Sequence, residues 1–140
     1  MKAPKKIAHI GIAVHDMDYV LPFYTETLGL ELERVETIDT EMVKTAFLTI
    51  GESRIELLEP SSELSPVQTF LDQRGEGVHH VAIETDVIDD RLQHIKDKGL
   101  PLINEEPKQG AHNARIAFIH PKAANGILFE LCESPVRNDD

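Results

Sequence analysis

Four side chains of this chain could together hold a divalent metal ion: His9, Glu56, His80 and Glu130. Each lies inside a largely apolar run that reads as a buried strand: Ile7 to Val14, Ile55 to Leu58, Val78 to Ile83 and Leu128 to Leu131. A charge left unpaired in such a run is costly enough that something must satisfy it. The four also alternate along the chain as histidine, glutamate, histidine, glutamate. Imidazole with carboxylate is a borderline-to-hard donor set, suited to Co²⁺, Ni²⁺, Zn²⁺, Mn²⁺ or Fe²⁺. Four such ligands leave two octahedral positions open, and an open metal is catalytic more often than structural. His79 alternates to the other face of its strand and reads as structural or as an interface residue. His15 and His94 carry no comparable signal, while His112 and His120 fall in segments that read as loops within reach of a ligand.

The elements that must position these residues come in two copies. The first reads Ala8-His9-Ile10-Gly11-Ile12-Ala13-Val14, then Asp16 and Asp18, an amphipathic stretch and Leu28-Gly29-Leu30. The second reads His79-His80-Val81-Ala82-Ile83-Glu84-Thr85, then Asp86 and Asp89, an amphipathic stretch and Lys98-Gly99-Leu100. Aspartate before a periodic apolar stretch is a helix start, and glycine after it a stop. The helices carry Val20, Phe23, Tyr24 and Leu28 in one copy and Ile88, Leu92 and Ile95 in the other, both read as core stripes. Pro22 falls inside the first helix, where it forfeits a backbone bond, so a local irregularity is expected there.

Strands are expected next over 31–37, 43–50 and 54–59, and in the second copy over 101–104, 115–120 and 127–133. Turns at Gly51-Glu52-Ser53 and Ala124-Asn125-Gly126 close the last hairpin of each copy. Between the copies, Ser65-Pro66 supplies a cap and first residue for a short helix ending near Gly75. The fold class is therefore α+β: two tandem βαβββ modules forming a curved mixed sheet around a metal-containing cleft. A single domain over residues 1–140 is expected, with modules at about 5–60 and 77–134 joined by a linker over 61–76.

Composition narrows the function classes. A hydrophobic fraction of 41% with 28% charged residues is that of a folded globular chain. The net charge of −11 argues against general nucleic-acid or anionic-membrane binding. An anionic ligand would need a local basic pocket, for which Lys108, Arg115 and Lys122 are candidates. No apolar run is long enough to span a membrane and no signal-peptide pattern opens the chain, which points to the cytoplasm. The one cysteine, Cys132, excludes an intrachain disulfide and reads as a small core residue.

With its paired modules and strand-borne His/Glu ligands, the chain resembles the vicinal oxygen chelate superfamily, and within it is similar to the methylmalonyl-CoA epimerases. The resemblance covers residues 7–133. Generic to the superfamily are His9-Ile10-Gly11-Ile12-Ala13-Val14 and Gly75-Glu76-Gly77-Val78-His79-His80. More specific are Glu56-Leu57-Leu58-Glu59-Pro60, the segment from Glu105 to His112, and Phe118-Ile119-His120-Pro121-Lys122 followed by Gly126 to Leu131.

The resemblance implies interconversion of (R)- and (S)-methylmalonyl-CoA at C2 through an enolate, on one divalent ion held by His9, Glu56, His80 and Glu130. Co²⁺ is favoured, with Mn²⁺, Ni²⁺ or Zn²⁺ possible. Glu130 is the implied catalytic acid/base as well as a ligand. Epimerisation wants a base on each face, and at the place of a family glutamate this sequence has Thr45, which cannot act as a base unaided. A metal-bound water and Lys44 are the candidates left for the second role. Acyl-CoA contacts are expected from Lys108, Gln109, Gly110, His112 and Lys122, with the glycine admitting close backbone approach and the lysines meeting phosphate. A homodimer is the family expectation. The alternatives are a glyoxalase I-type lyase and a non-catalytic small-molecule-binding protein of the same fold; an extradiol dioxygenase would need only one carboxylate ligand.

Overall fold

A histidine-bearing strand leads into a helix in both halves of the chain, and the histidine lies on the sheet face that the helix does not cover. A computed structural model describes residues 2–135. Two compact units are distinguished: residues 9–79, and residues 2–8 with 80–135.

The first unit contains β1 (Lys6–Ala13) from His9 onward, α1 (Met17–Pro22), β2 (Glu31–Ile38), β3 (Val43–Ile50), β4 (Ser53–Pro60) and α2 (Pro66–Arg74). β1 pairs parallel with β4, while β4 with β3 and β3 with β2 are antiparallel. Alternation sorts the side chains onto two faces. On one, Ile12, Val14, Ala46, Leu48 and Leu57 pack under Met17, Val20 and Leu21 of α1 and Tyr24 just after it. On the other, Ala13, Val43 and Leu58 lie against Val67, Phe70 and Leu71 of α2. Removing such buried groups from water is worth roughly 1.5–3 kcal/mol per large side chain, which secures both helices.

Local signals act as expected at most boundaries. Asp16 caps α1, its carboxylate accepting from the backbone N–H of Asp18 at 3.1 Å. The irregularity at Pro22 is real: α1 stops there and the chain widens into a π-helical turn over Phe23–Thr27, where Leu28 N donates to Phe23 O at 2.9 Å. That wider turn shifts the helical register, and Phe23 and Leu28, expected in the core, are about half exposed. Ser65 caps α2, and Gly75 ends it at φ 76, a left-handed conformation that glycine adopts without strain.

In the second unit β5 (Gly77–Glu84), from His80 onward, is followed by α3 (Ile88–Asp97), β6 (Lys108–Gln109), β7 (Arg115–Ile119) and β8 (Phe129–Glu133). β5 pairs parallel with β8, and β8 with β7 and β7 with β6 antiparallel. Ile88 and Leu92 of α3 pack on Ala117 and Leu131, with Ile83 and Ile95 alongside. The opposite face carries Ala8, Ala82, Ile116 and Cys132, so Cys132 is a core residue.

Two expectations fail in this unit. The strand expected over 101–104 is reduced to a single bridge between Leu102 and Ile119. Ile103 N and Asn104 N both turn onto Phe118 O, and the Asn104 side chain accepts from Phe118 N at 2.9 Å, so an amide side chain replaces the ladder. Nor do Asp86 and Asp89 cap α3. Asp86 pairs with Lys5 Nζ at 3.3 Å and Asp89 with Arg115, while Glu133 Oε1 accepts from Ile88 N at 3.3 Å. The first unit has the counterpart, Glu59 Oε1 accepting from Met17 N at 2.9 Å. In both copies a glutamate at the end of the last strand holds the start of the helix.

Candidate metal centre and active site

Register decides where the four candidate ligands point. In the first unit Glu56 lies opposite Gly11 on β1 and Phe47 on β3. Gly11 has no side chain to set beside Glu56, and His9, two residues before it on the same face, brings its Nδ1 to 3.0 Å from Glu56 Oε2. In the second unit Glu130 lies opposite Ala82 on β5 and Phe118 on β7. Again the facing residue is small and the histidine two before it reaches across, with His80 Nε2 3.5 Å from Glu130 Oε1. All four side chains are buried, at 6–7% exposure.

The duplication extends beyond the candidate ligands. Arg34 lies over the Phe47 ring at 4.8 Å, and Lys108 over the Phe118 ring at 5.9 Å. Each aromatic ring thus forms an apolar wall beside a carboxylate and carries a cation on its face. The Phe118 ring also meets His80 edge-on, with centroids 5.6 Å apart.

A basic nitrogen and a carboxylate oxygen 3.0 Å apart in a water-poor site need a cation or a proton between them. Burial pushes the Glu56 carboxyl up from 4.5 to about 7, opposed by the neighbouring Arg54 guanidinium, whose Nε donates to Glu56 Oε2 at 3.4 Å. A divalent ion is the partner that would restore the charged form, and the His/Glu donors fit a borderline ion. The donor chemistry of each pair therefore fits a metal.

Other candidates sort differently. Lys108 and Gln109 form β6, with Lys108 directed along the Phe118 face. Gly110 has a packing reason of its own: a Cβ there would lie 2.8 Å from Ile116 Cγ2. His112 follows in a left-handed conformation, φ 59 and ψ 28. Lys122 lies in a short turn over Pro121–Ala123 that His120 caps, with His120 Nδ1 accepting from Lys122 N at 3.0 Å. Arg115 does not join a basic pocket: it is turned to the α3 side and paired with Asp89 at 2.9 Å and Glu133 at 3.1 Å. Lys44 stands opposite Glu59 on the α1 face, away from Glu56, while Thr45 shares the Glu56 face. His79 stacks edge-on against Phe70 of α2 at 5.1 Å, and burial holds its pKa low, a structural role.

Missing from the sequence reading are the two phenylalanine walls, their cations, and Arg54 as the partner of Glu56. One signal was visible: glutamates recur three residues after Glu56 and Glu130, and these are the two helix caps.

Residues 8–118 match the family described as the Glyoxalase/Bleomycin resistance protein/Dioxygenase superfamily. The ethylmalonyl-CoA/methylmalonyl-CoA epimerase of Cereibacter sphaeroides is 35% identical over 90% of this chain and 96% of its own. Among solved structures, hypothetical protein BH1468 from Bacillus halodurans C-125 is 49% identical with a TM-score of 0.91, covering 96% of this chain and 98% of that one. A Streptomyces coelicolor methylmalonyl-CoA epimerase variant in complex with 2-nitronate-propionyl-CoA is 40% identical with a TM-score of 0.90, covering 96% of this chain and 97% of that one.

Proposed function

Because the chain belongs to the glyoxalase/bleomycin resistance protein/dioxygenase superfamily, we propose that it is a metal-dependent epimerase that interconverts (R)- and (S)-methylmalonyl-CoA by moving the proton at C2. The observation that carries this reading is the repeated pair, a buried histidine and a buried glutamate at matching strand positions in both halves. His9, Glu56, His80 and Glu130 are read as the ligands of one divalent ion, with Co²⁺ favoured over Mn²⁺, Ni²⁺ or Zn²⁺. When bound, such an ion supplies Lewis-acid charge where the thioester oxygen becomes negative.

The chain's own residues do the rest. Phe47 and Phe118, directly opposite the two glutamates, put apolar rings beside the two carboxylates, and a less polar surrounding strengthens charge interactions there. Arg54 opposes protonation of Glu56 and holds its oxygen in place. Glu130 is the proposed proton acceptor on one face of C2, and a water molecule would deliver a proton to the other. Lys108, Gln109, Gly110, His112 and Lys122 are read as contacts of the acyl-CoA, Lys108 and Lys122 meeting its anionic groups. With this reading go a single domain, a homodimer and a cytoplasmic location. Among the described residues no helix is long and apolar enough to cross a membrane.

The deciding experiment follows (S)-methylmalonyl-CoA with cobalt-loaded protein in D₂O. Deuterium at C2 together with loss of optical purity is expected. Stoichiometric metal with no exchange would exclude the epimerase, and turnover of a glutathione hemithioacetal in its place would favour the lyase.

A further inference from the structure

Thr45 is 1% exposed, and its Oγ1 has no hydrogen-bond partner among the described residues. A buried hydroxyl with nothing to bond is a net cost, one that valine at the same place would avoid at almost the same shape. The residue lies on the sheet face of the candidate site. Thr45 is two residues before Phe47, which stands directly opposite Glu56, and is itself opposite Leu58. Its neighbour on the other side, Glu36, turns its carboxylate to Arg34 Nη2 at 2.8 Å and leaves the hydroxyl alone. Val43, one alternation further along the strand, and Leu58, directly opposite, belong to the cluster sealed by α2, so Thr45 stands between that apolar seal and Phe47, the residue opposite Glu56.

We propose that Thr45 is a substrate-contacting residue whose hydroxyl donates a hydrogen bond to an oxygen of the bound malonyl-type thioester. The direction follows from chemistry: carboxylate and thioester carbonyl oxygens only accept, so the hydroxyl must be the donor. A neutral donor there binds and orients the ligand and takes no proton from it. This rests on the epimerase reading above for the identity of the ligand, while the unpartnered hydroxyl is independent of it.

The test is calorimetric titration of cobalt-loaded protein with 2-nitronate-propionyl-CoA, a probe that does not turn over, for wild type, Thr45→Val and Thr45→Ser. Thr45→Val should melt at or above the wild-type temperature and retain cobalt, yet bind the probe about 3- to 10-fold more weakly, the loss of one neutral hydrogen bond. Thr45→Ser, which keeps the hydroxyl, should recover most of that affinity. Equal affinity of wild type and Thr45→Val overturns the assignment and leaves the epimerase reading standing. A wild type that holds cobalt and does not bind the probe overturns both.

Discussion

Glu56 should make the metal-free protein less stable as the pH rises, and Glu56→Gln should remove that slope. Its carboxyl is pushed from 4.5 to about 7, first by burial, with Arg54 pulling the other way. A carboxyl whose pKa is raised on folding binds more protons in the native state than in the unfolded one between those two values. Stability is then fully present below the unfolded pKa and is lost as pH rises through the folded one. The span of about two and a half units corresponds to roughly 3 kcal/mol, of which about 2 kcal/mol falls between pH 5 and pH 7.5. Urea unfolding at those two pH values, in chelator, of wild type and Glu56→Gln measures it as a difference of slopes. Metal should reverse the trend, because the ion replaces the proton: at pH 6 wild type should release more protons per ion bound than Glu56→Gln. Equal pH dependence in the two chelated proteins would refute the raised pKa, and equal proton release would refute Glu56 as a ligand.

Three further outcomes follow from the same geometry. His80→Ala should abolish both cobalt retention, read by elemental analysis after gel filtration, and deuterium exchange at C2; a variant that keeps full activity would break the four-ligand reading. Glu59→Ala and Glu133→Ala should each cost about 1 kcal/mol in urea unfolding, because each removes the carboxylate that accepts from a helix N-terminus; no loss from either would show that Asp16 and water suffice. Gly110→Ala should destabilise by about 1–3 kcal/mol, since its methyl would sit 2.8 Å from Ile116 Cγ2, and a thermal melt unchanged from wild type would show that the loop yields without cost.

How much of this was legible beforehand depends on how far apart the interacting residues lie in the chain. Asp16, Pro22, Ser65 with Pro66, and Gly75 act on backbone within a turn of themselves, and each does in the structure what its type predicts. The candidate ligand pairs stand out for a related reason: alternation assigns a face to each residue, and the repeat shows the same histidine and glutamate placed twice. Asp86 and Asp89 had equally good local credentials as caps and were overruled, because Lys5 and Arg115 claim their carboxylates while Glu133 reaches Ile88 N from 45 residues away. Arg115 left the expected basic pocket for the same reason.

By itself, then, the order of residues determined the two copies, their helices, most of their strands and the four candidate ligands, since all of these follow from periodicity and short-range backbone chemistry. Only the tertiary structure decided which residues stand across from which. Strand register put Phe47 and Phe118 beside the two glutamates, brought Arg54 to Glu56 and left the Thr45 hydroxyl buried without a partner among the described residues. Register is set by the packing of whole sheet faces, a property that no short stretch of sequence carries.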